Sequence, residues 1–205
     1  MAQDKRPLER QSKRVIERQK ARTRRLIMVG VAVLLLLGAA GAYVFVSSIP
    51  PTTPPNGQAP AYAIITTASG TIVFRFIEDK APVTSANFIG LVQGGYYNGI
   101  TWHRVEPGFV IQTGQKPSDP RSTIPLELHP DLHNDRGTVG VARTNDPNSG
   151  STQFYINTGE NRQLDTTNGG YAVFGVVTRG MSVADSVAKD EFITSITFVR
   201  SATPP

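Results

Sequence analysis

The run LIMVGVAVLLLLGAAGAYVFV, residues 26–46, constrains this chain more than any other stretch: twenty-one residues without a charge, directly after a segment dense in them. As a helix rising about 1.5 Å per residue it spans roughly 31 Å, the thickness of a bilayer's hydrocarbon core. It has no polar face, which argues against a half-buried helix of a soluble fold. Residues 1–25 hold ten Lys/Arg against three Asp/Glu, and no charge occurs from residue 47 to residue 74. All the flanking positive charge is on one side. That predicts a single transmembrane helix over 26–46, a basic cytoplasmic tail over 1–25, and everything after the span outside the cytoplasm. Tyr43 and Phe45 are placed to anchor the outer interface. A cleaved signal peptide is the competing reading, with the small residues Ala40–Ala42 as its processing site, but the basic region and the apolar run are both long for one. The localisation expected is the cell membrane, single-pass.

The tail also explains the overall charge. The chain carries +5, yet beyond residue 25 it has eleven Lys/Arg against thirteen Asp/Glu. Nucleic-acid binding by the tail is set aside because a membrane span follows at once. There is no Cys, which excludes disulfides, thiol catalysis and Cys-ligated zinc. His129 and His133 have a spacing that would suit zinc on a helix, but Pro130 lies between them and Asp131 and Asn134 suggest a loop. No metal and no cofactor are expected. The chain has no G-x-S-x-G, phosphate loop or dinucleotide fingerprint.

Residues 47–61, SSIPPTTPPNGQAPA, contain five Pro and read as a linker. In polyproline II form at ~3.1 Å per residue it would reach about 46 Å, although a spacer of no preferred length fits equally well. From Tyr62 the pattern changes to short strands. TIVFRF (71–76) alternates, with Ile72, Phe74 and Phe76 on one face; Ser69-Gly70 and Asn98-Gly99 mark hairpin turns. Segments 138–143, 152–157, 171–178 and 196–199 are further strand candidates. Two helices interrupt them: one opens at Pro82 and stops at Gly94-Gly95, and one over 182–191 is N-capped by Ser182. Many short strands and few helices over residues 62–200 predict an antiparallel barrel or sandwich. Residues 201–205 are a C-terminal tail.

The stretch TWHRVEPGFVIQTG (101–114) carries more functional groups than a core strand needs. Alternation puts Ile100, Trp102 and Arg104 on one face and His103 and Val105 on the other. Pro107-Gly108 can reset that alternation and bring Arg104, Phe109, Val110 and Gln112 onto one patch. Such a patch has a guanidinium and an amide over an apolar floor, with no nucleophile, metal or acid–base pair. It suits a reaction that makes and breaks no bonds. Rotation about an X–Pro bond is one, with a barrier of ~18–20 kcal/mol that comes from amide resonance.

The same stretch resembles the signature of the cyclophilins. GTVGVARTNDPNSGSTQFYIN (137–157) and LDTTNGGYAVFGVVTRGMSVAD (164–185) resemble the family's next two motifs in the right order. The resemblance covers residues 62–199. It implies a mainly β fold, an eight-stranded antiparallel barrel capped by two helices, here preceded by the transmembrane helix. It also implies a peptidyl-prolyl cis-trans isomerase in which Arg104, Phe109 and Gln112 are catalytic. By position, Val110, Tyr155 and Leu164 complete a pocket for the proline ring beside Phe109. Ala142, Arg143 and Gln153 line the wall for the residues before it, and His103 and Tyr171 contact substrate. The chain departs from the family in carrying Val110 for the commoner Met, Tyr155 for Phe and Arg143 for Asn. Tyr171 stands where eukaryotic members have His, and Gln163 where they often have a cyclosporin-contacting Trp. The implied partners are Pro-containing polypeptides, with exported proteins as folding clients and the enzyme acting as a monomer. A binding module that holds Pro segments without turnover, or an envelope protein using the barrel as a spacer, stands as the alternative.

Overall fold

A computed structural model describes residues 57–116 and 122–205 of the chain. The expected span over 26–46, the basic tail and most of the Pro-rich linker lie outside the described residues. Among the described residues no helix is long and apolar enough to cross a membrane.

Eight strands form one antiparallel sheet: β1 (Ala61–Thr67), β2 (Gly70–Phe76), β3 (Arg104–Glu106), β4 (Val110–Thr113), β5 (Thr138–Val141), β6 (Phe154–Asn157), β7 (Val173–Arg179) and β8 (Ile193–Arg200). Their order across the sheet is β3-β4-β6-β5-β7-β2-β1-β8. Register shifts at Thr66/Thr67, Val73/Phe74 and Val139/Gly140 bend the strands and curl the sheet into a half-barrel. The segments leading into the two edge strands then meet. Ile193 donates its N–H to the Ile100 carbonyl and Gly99 to that of Ile193, both at 2.8 Å, while Trp102 and Asp190 exchange bonds with the same two segments. β-Branched and aromatic residues fill the strands, as a half-buried pleated surface favours.

Helix α1 (Pro82–Gln93) begins with Pro at its first turn, where no intrahelical N–H is lost. Its cap comes from far away: the Glu127 carboxylate accepts the N–H groups of Val83 at 3.2 Å and Thr84 at 2.9 Å. Thr84, Ser85, Phe88, Leu91 and Val92 form the buried stripe of that helix. Helix α2 is shorter than expected, Met181–Ser186, and its N-cap is Gly180 in the left-handed region, not Ser182. Val187 leaves helical dihedrals (φ −55, ψ 130), and the Ala188 N–H turns to the Glu191 carboxylate. Two short 3-10 turns, Arg162–Asp165 and Thr167–Gly169, precede β7.

The Ser69-Gly70 hairpin is present, with Thr67 registered opposite Gly70. Asn98-Gly99 is a turn but not a hairpin, because α1 lies on its N-terminal side; Asn98 instead accepts the Ile196 N–H from β8. In β2 both faces are covered, so alternation does not separate inside from outside. Val73 and Arg75, 0% and 7% exposed, are as hidden as Ile72 and Phe74. Burial lowers the Arg75 pKa from its usual value, with Tyr62 and Asp79 working against that.

Aromatic rings dominate the core. Phe154 is its hub, with ring centres 5.3 Å from Tyr97, 6.0 Å from Phe88 and Trp102, and 6.1 Å from Phe74. Phe88 stacks on Phe174 at 4.4 Å, which fastens α1 to the sheet.

Candidate active site

The site lies on the outer face of β3, β4 and β6. Arg104 and Gln112 are a registered pair across the β3–β4 hairpin, and Glu106 faces Val110. Directly opposed residues share a face, so Arg104, Val110 and Gln112 all point outward while Ile111 packs in the core. No reset is needed for those three. The corner swings Phe109 beside them: its N–H closes on the Glu106 carbonyl at 3.0 Å, and Gly108 takes φ 73°, which costs little only without a Cβ. The slip in alternation occurs earlier. Trp102 is in the core while Arg104, two residues on, is outside, contrary to the expectation that they share a face.

Arg104 is held at three points. Its Nε donates to Glu106 Oε1 at 2.8 Å, its Nη1 to Gln112 Oε1 at 3.3 Å, and its guanidinium carbon sits 5.4 Å from the centre of the Phe109 ring. Nη2 makes no hydrogen bond among the described residues and is left for a ligand. Gln112 Nε2 donates to Gln153 Oε1 at 2.9 Å, which brings Gln153 to the site through Gln112 and not as a wall.

These groups edge a cavity of about 250 Å³. Phe109, Val110, Tyr155 and Leu164 give it an apolar lining, and Ala142, Arg143 and Tyr171 line it as well. Nine of the eleven sequence-derived site residues therefore line one space, with Gln153 one bond away. His103 is the exception. It does not line the cavity, and its Nδ1 is buried without a partner among the described residues. Burial, then the neighbouring Arg104, lowers its pKa against the pull of Asp190. Gln163 is exposed on the adjacent turn.

Tyr155 in place of Phe is accommodated from beneath. A Cβ at residue 140 would meet the Tyr155 ring and hydroxyl at 2.4 Å, so the phenol fits only because β5 carries Gly140 there. The hydroxyl donates to Asn134 Oδ1 at 2.6 Å, and burial pushes its pKa far above the usual range.

Sequence reasoning missed what holds these walls. Asn134, fully buried, also donates from Nδ2 to Asp165 at 2.9 Å and to the Tyr171 carbonyl at 3.2 Å. Asn157 donates to Asn134 Oδ1 at 3.3 Å, and Asn161 donates both to Asn157 at 2.8 Å and to the Phe109 carbonyl at 2.7 Å. Three buried asparagines thus position Phe109, Tyr155 and the 162–171 loop together. Asp165 also pairs with His133 at 2.9 Å. Asn134 bonds and burial have no local signature in the sequence. Glu106 does have one: two residues from Arg104 along a strand puts it on the same face.

Residues 62–200 match the family model for cyclophilin type peptidyl-prolyl cis-trans isomerase/CLD. Peptidyl-prolyl cis-trans isomerase A of Dickeya dadantii is 41% identical over 135 residues, 62% of this chain and 71% of that protein. Peptidyl-prolyl cis-trans isomerase cyp18 of Streptomyces antibioticus is 43% identical over 133 residues, 60% of this chain and 80% of its own length. Among solved structures, a Cryptosporidium parvum cyclophilin type isomerase crystallised in the presence of the dipeptide ala-pro is similar, with a TM-score of 0.60 at 26% identity, covering 68% of this chain and 99% of that one.

Proposed function

Because the chain belongs to the cyclophilin-type peptidyl-prolyl cis-trans isomerase family and is an enzyme of that activity, we propose that the Arg104 cavity is where it rotates X–Pro bonds. The observation that carries this reading is the pre-set guanidinium over an apolar floor: Arg104, fixed by Glu106 and Gln112, beside Phe109, Val110, Tyr155 and Leu164.

In the ground state the prolyl nitrogen gives its lone pair to the carbonyl, and that resonance supplies the ~18–20 kcal/mol barrier. As the bond twists, the lone pair returns to nitrogen and becomes an acceptor. Arg104 donates to it from Nη2, an interaction absent from both planar isomers, so only the twisted state gains. The apolar lining holds the ring still. The second N–H of Gln112 holds the carbonyl side, and the wall at Ala142 and Arg143 takes the preceding residues. Nothing is transferred and no cofactor is needed.

We further propose that residues 26–46 anchor this domain outside the cytoplasm and that its clients are exported chains, on which it acts as a monomer. The charge asymmetry around the span supports this placement. Catalysis is tested by the full chain in detergent with Arg104→Ala beside it. A folded variant with unchanged turnover would remove Arg104 from the mechanism. Topology is tested by adding protease to intact spheroplasts. Loss of the domain with residues 1–25 protected is expected; protection of the domain refutes the orientation.

A further inference from the structure

Two guanidinium groups line the cavity, and their surroundings differ in charge. Arg104 is paired with the Glu106 carboxylate at 2.8 Å. Among the described residues Arg143 bonds only to carbonyls. Its Nε donates to Gly170 at 3.2 Å and its Nη1 to Thr144 at 2.8 Å; its Nη2 donates to Asn168 at 2.8 Å and Gly170 at 2.5 Å. Its face lies on Tyr171, 4.4 Å from the ring centre. No carboxylate pairs with it among the described residues. Asp165 bonds instead to His133 and Asn134, and Asp146 accepts the Asn148 N–H. Carbonyls hold a cation in place but do not cancel its charge. The wall at Ala142 and Arg143 therefore presents a fixed positive charge to whatever occupies the cavity.

We propose that Arg143 makes the enzyme select X–Pro segments that carry a carboxylate in the residues before the proline. This rests on the peptide placement given above, with the ring against Phe109, Val110, Tyr155 and Leu164. Those four residues carry no charge with which to choose, so selection falls to Arg143 in the same lining. One N–H of Nη1 has no partner among the described residues, and the fork favours a carboxylate over a neutral amide. Arg143 is partly exposed, so the effect is moderate and is screened by salt.

The competing role for Arg143 is structural. It clamps a turn in which Asn168, Gly169 and Gly170 take φ values of 51°, 88° and 95°. A test must therefore separate charge from clamping. Peptides identical except for Glu, Gln or Lys at the second residue before proline are assayed with the full chain in detergent. At low salt kcat/KM is expected to fall in the order Glu, Gln, Lys over about tenfold, and to converge as salt shortens the Debye length to a few ångströms. Arg143→Lys keeps that order even where a loosened turn lowers all three rates. Arg143→Glu reverses it. Equal rates for the three peptides overturn the proposal, as does an order that Arg143→Glu leaves unchanged. Placing the same residues after proline is expected to produce little discrimination, and strong discrimination there also overturns it. If the wild type turns over none of the peptides, the placement of the peptide fails first and this inference falls with it.

Discussion

β6 sets Phe154 and Tyr155 side by side in the chain and on opposite faces of the sheet, and the regions they enter are held by different forces. Phe154 meets four rings and is 1% exposed, in a core built mainly of aromatic and aliphatic side chains. Tyr155 is equally hidden, yet its environment is a chain of asparagine hydrogen bonds that ends at the cavity. Close packing resists deformation in every direction, while a hydrogen-bond network fixes chosen atoms and leaves space between them. The inner face sets whether the chain folds; the outer face sets where a few groups stand.

Breaking the inner face should have the largest effect. Phe154→Ala removes the hub ring and is expected to cost about 3–5 kcal/mol, seen as a lower midpoint in urea. Activity should then follow the folded fraction. A loss under 1 kcal/mol would mean that the core is not centred there.

On the outer face the two readouts should separate. Arg104→Ala is expected to lower kcat/KM at least about tenfold, ~1.4 kcal/mol of transition-state stabilisation, with a thermal midpoint close to wild type. A large fall in stability would blur the distinction between the faces. Tyr155→Phe tests the network and not the reacting groups. Its hydroxyl is one of two donors to Asn134 Oδ1, so about 1 kcal/mol of stability should be lost. KM should rise more than kcat falls, because the pocket wall shifts while Arg104 stays. An equal change in both would argue against a positioning role.

The smallest effect is expected where Glu191 meets the Ser69 turn. Burial works to raise the Glu191 pKa, but hydrogen bonds from Ala188, Ser69 and Thr67 outweigh it and lower the pKa from the usual 4.5 to about 2. A depressed carboxylate stabilises the fold above its unfolded pKa and loses that contribution as pH falls through the folded one. Thermal midpoints should therefore drop between about pH 4.5 and 2 in wild type, and Glu191→Gln should flatten part of that slope. Unchanged acid sensitivity in the variant would place the effect in other carboxylates.

Much of this contrast was legible from residue order. Pro82, Gly94-Gly95 and Ser69-Gly70 act through their own backbone limits, so α1 and the first hairpin could be read locally. Arg104, Val110 and Gln112 needed only the period of two. The strand pattern misled at β2, because Val73 and Arg75 are covered by elements distant in sequence. It misled at Trp102 and Arg104, where one irregular residue reverses the face. Asn134, Asn157 and Asn161 were invisible for a related reason. An asparagine in a loop or at a strand end ordinarily faces water, and only partners such as Phe109, fifty-two residues from Asn161, make it interior. Helix α2 was misjudged at both ends: Gly180 takes the cap in place of Ser182, and Val187 leaves helical dihedrals.

The position of β1 has a consequence for how this chain is made. β1 lies between β2 and β8, the second strand and the last, with Ala61 registered opposite Arg200. Arg200 bonds to both Glu78 oxygens and to the Ala59 carbonyl, where the linker ends. During synthesis β1 can pair with β2 almost at once, but its other edge stays open until residues 193–200 emerge. Closing that seam joins parts of the chain about 140 residues apart, a loop-closure cost that makes formation slow for its size. Until then the open edge of β1 is a template for any passing strand. A chain stalled or cut before Ile193 should therefore aggregate through β1, and residues 193–200 supplied as a separate peptide should suppress that aggregation.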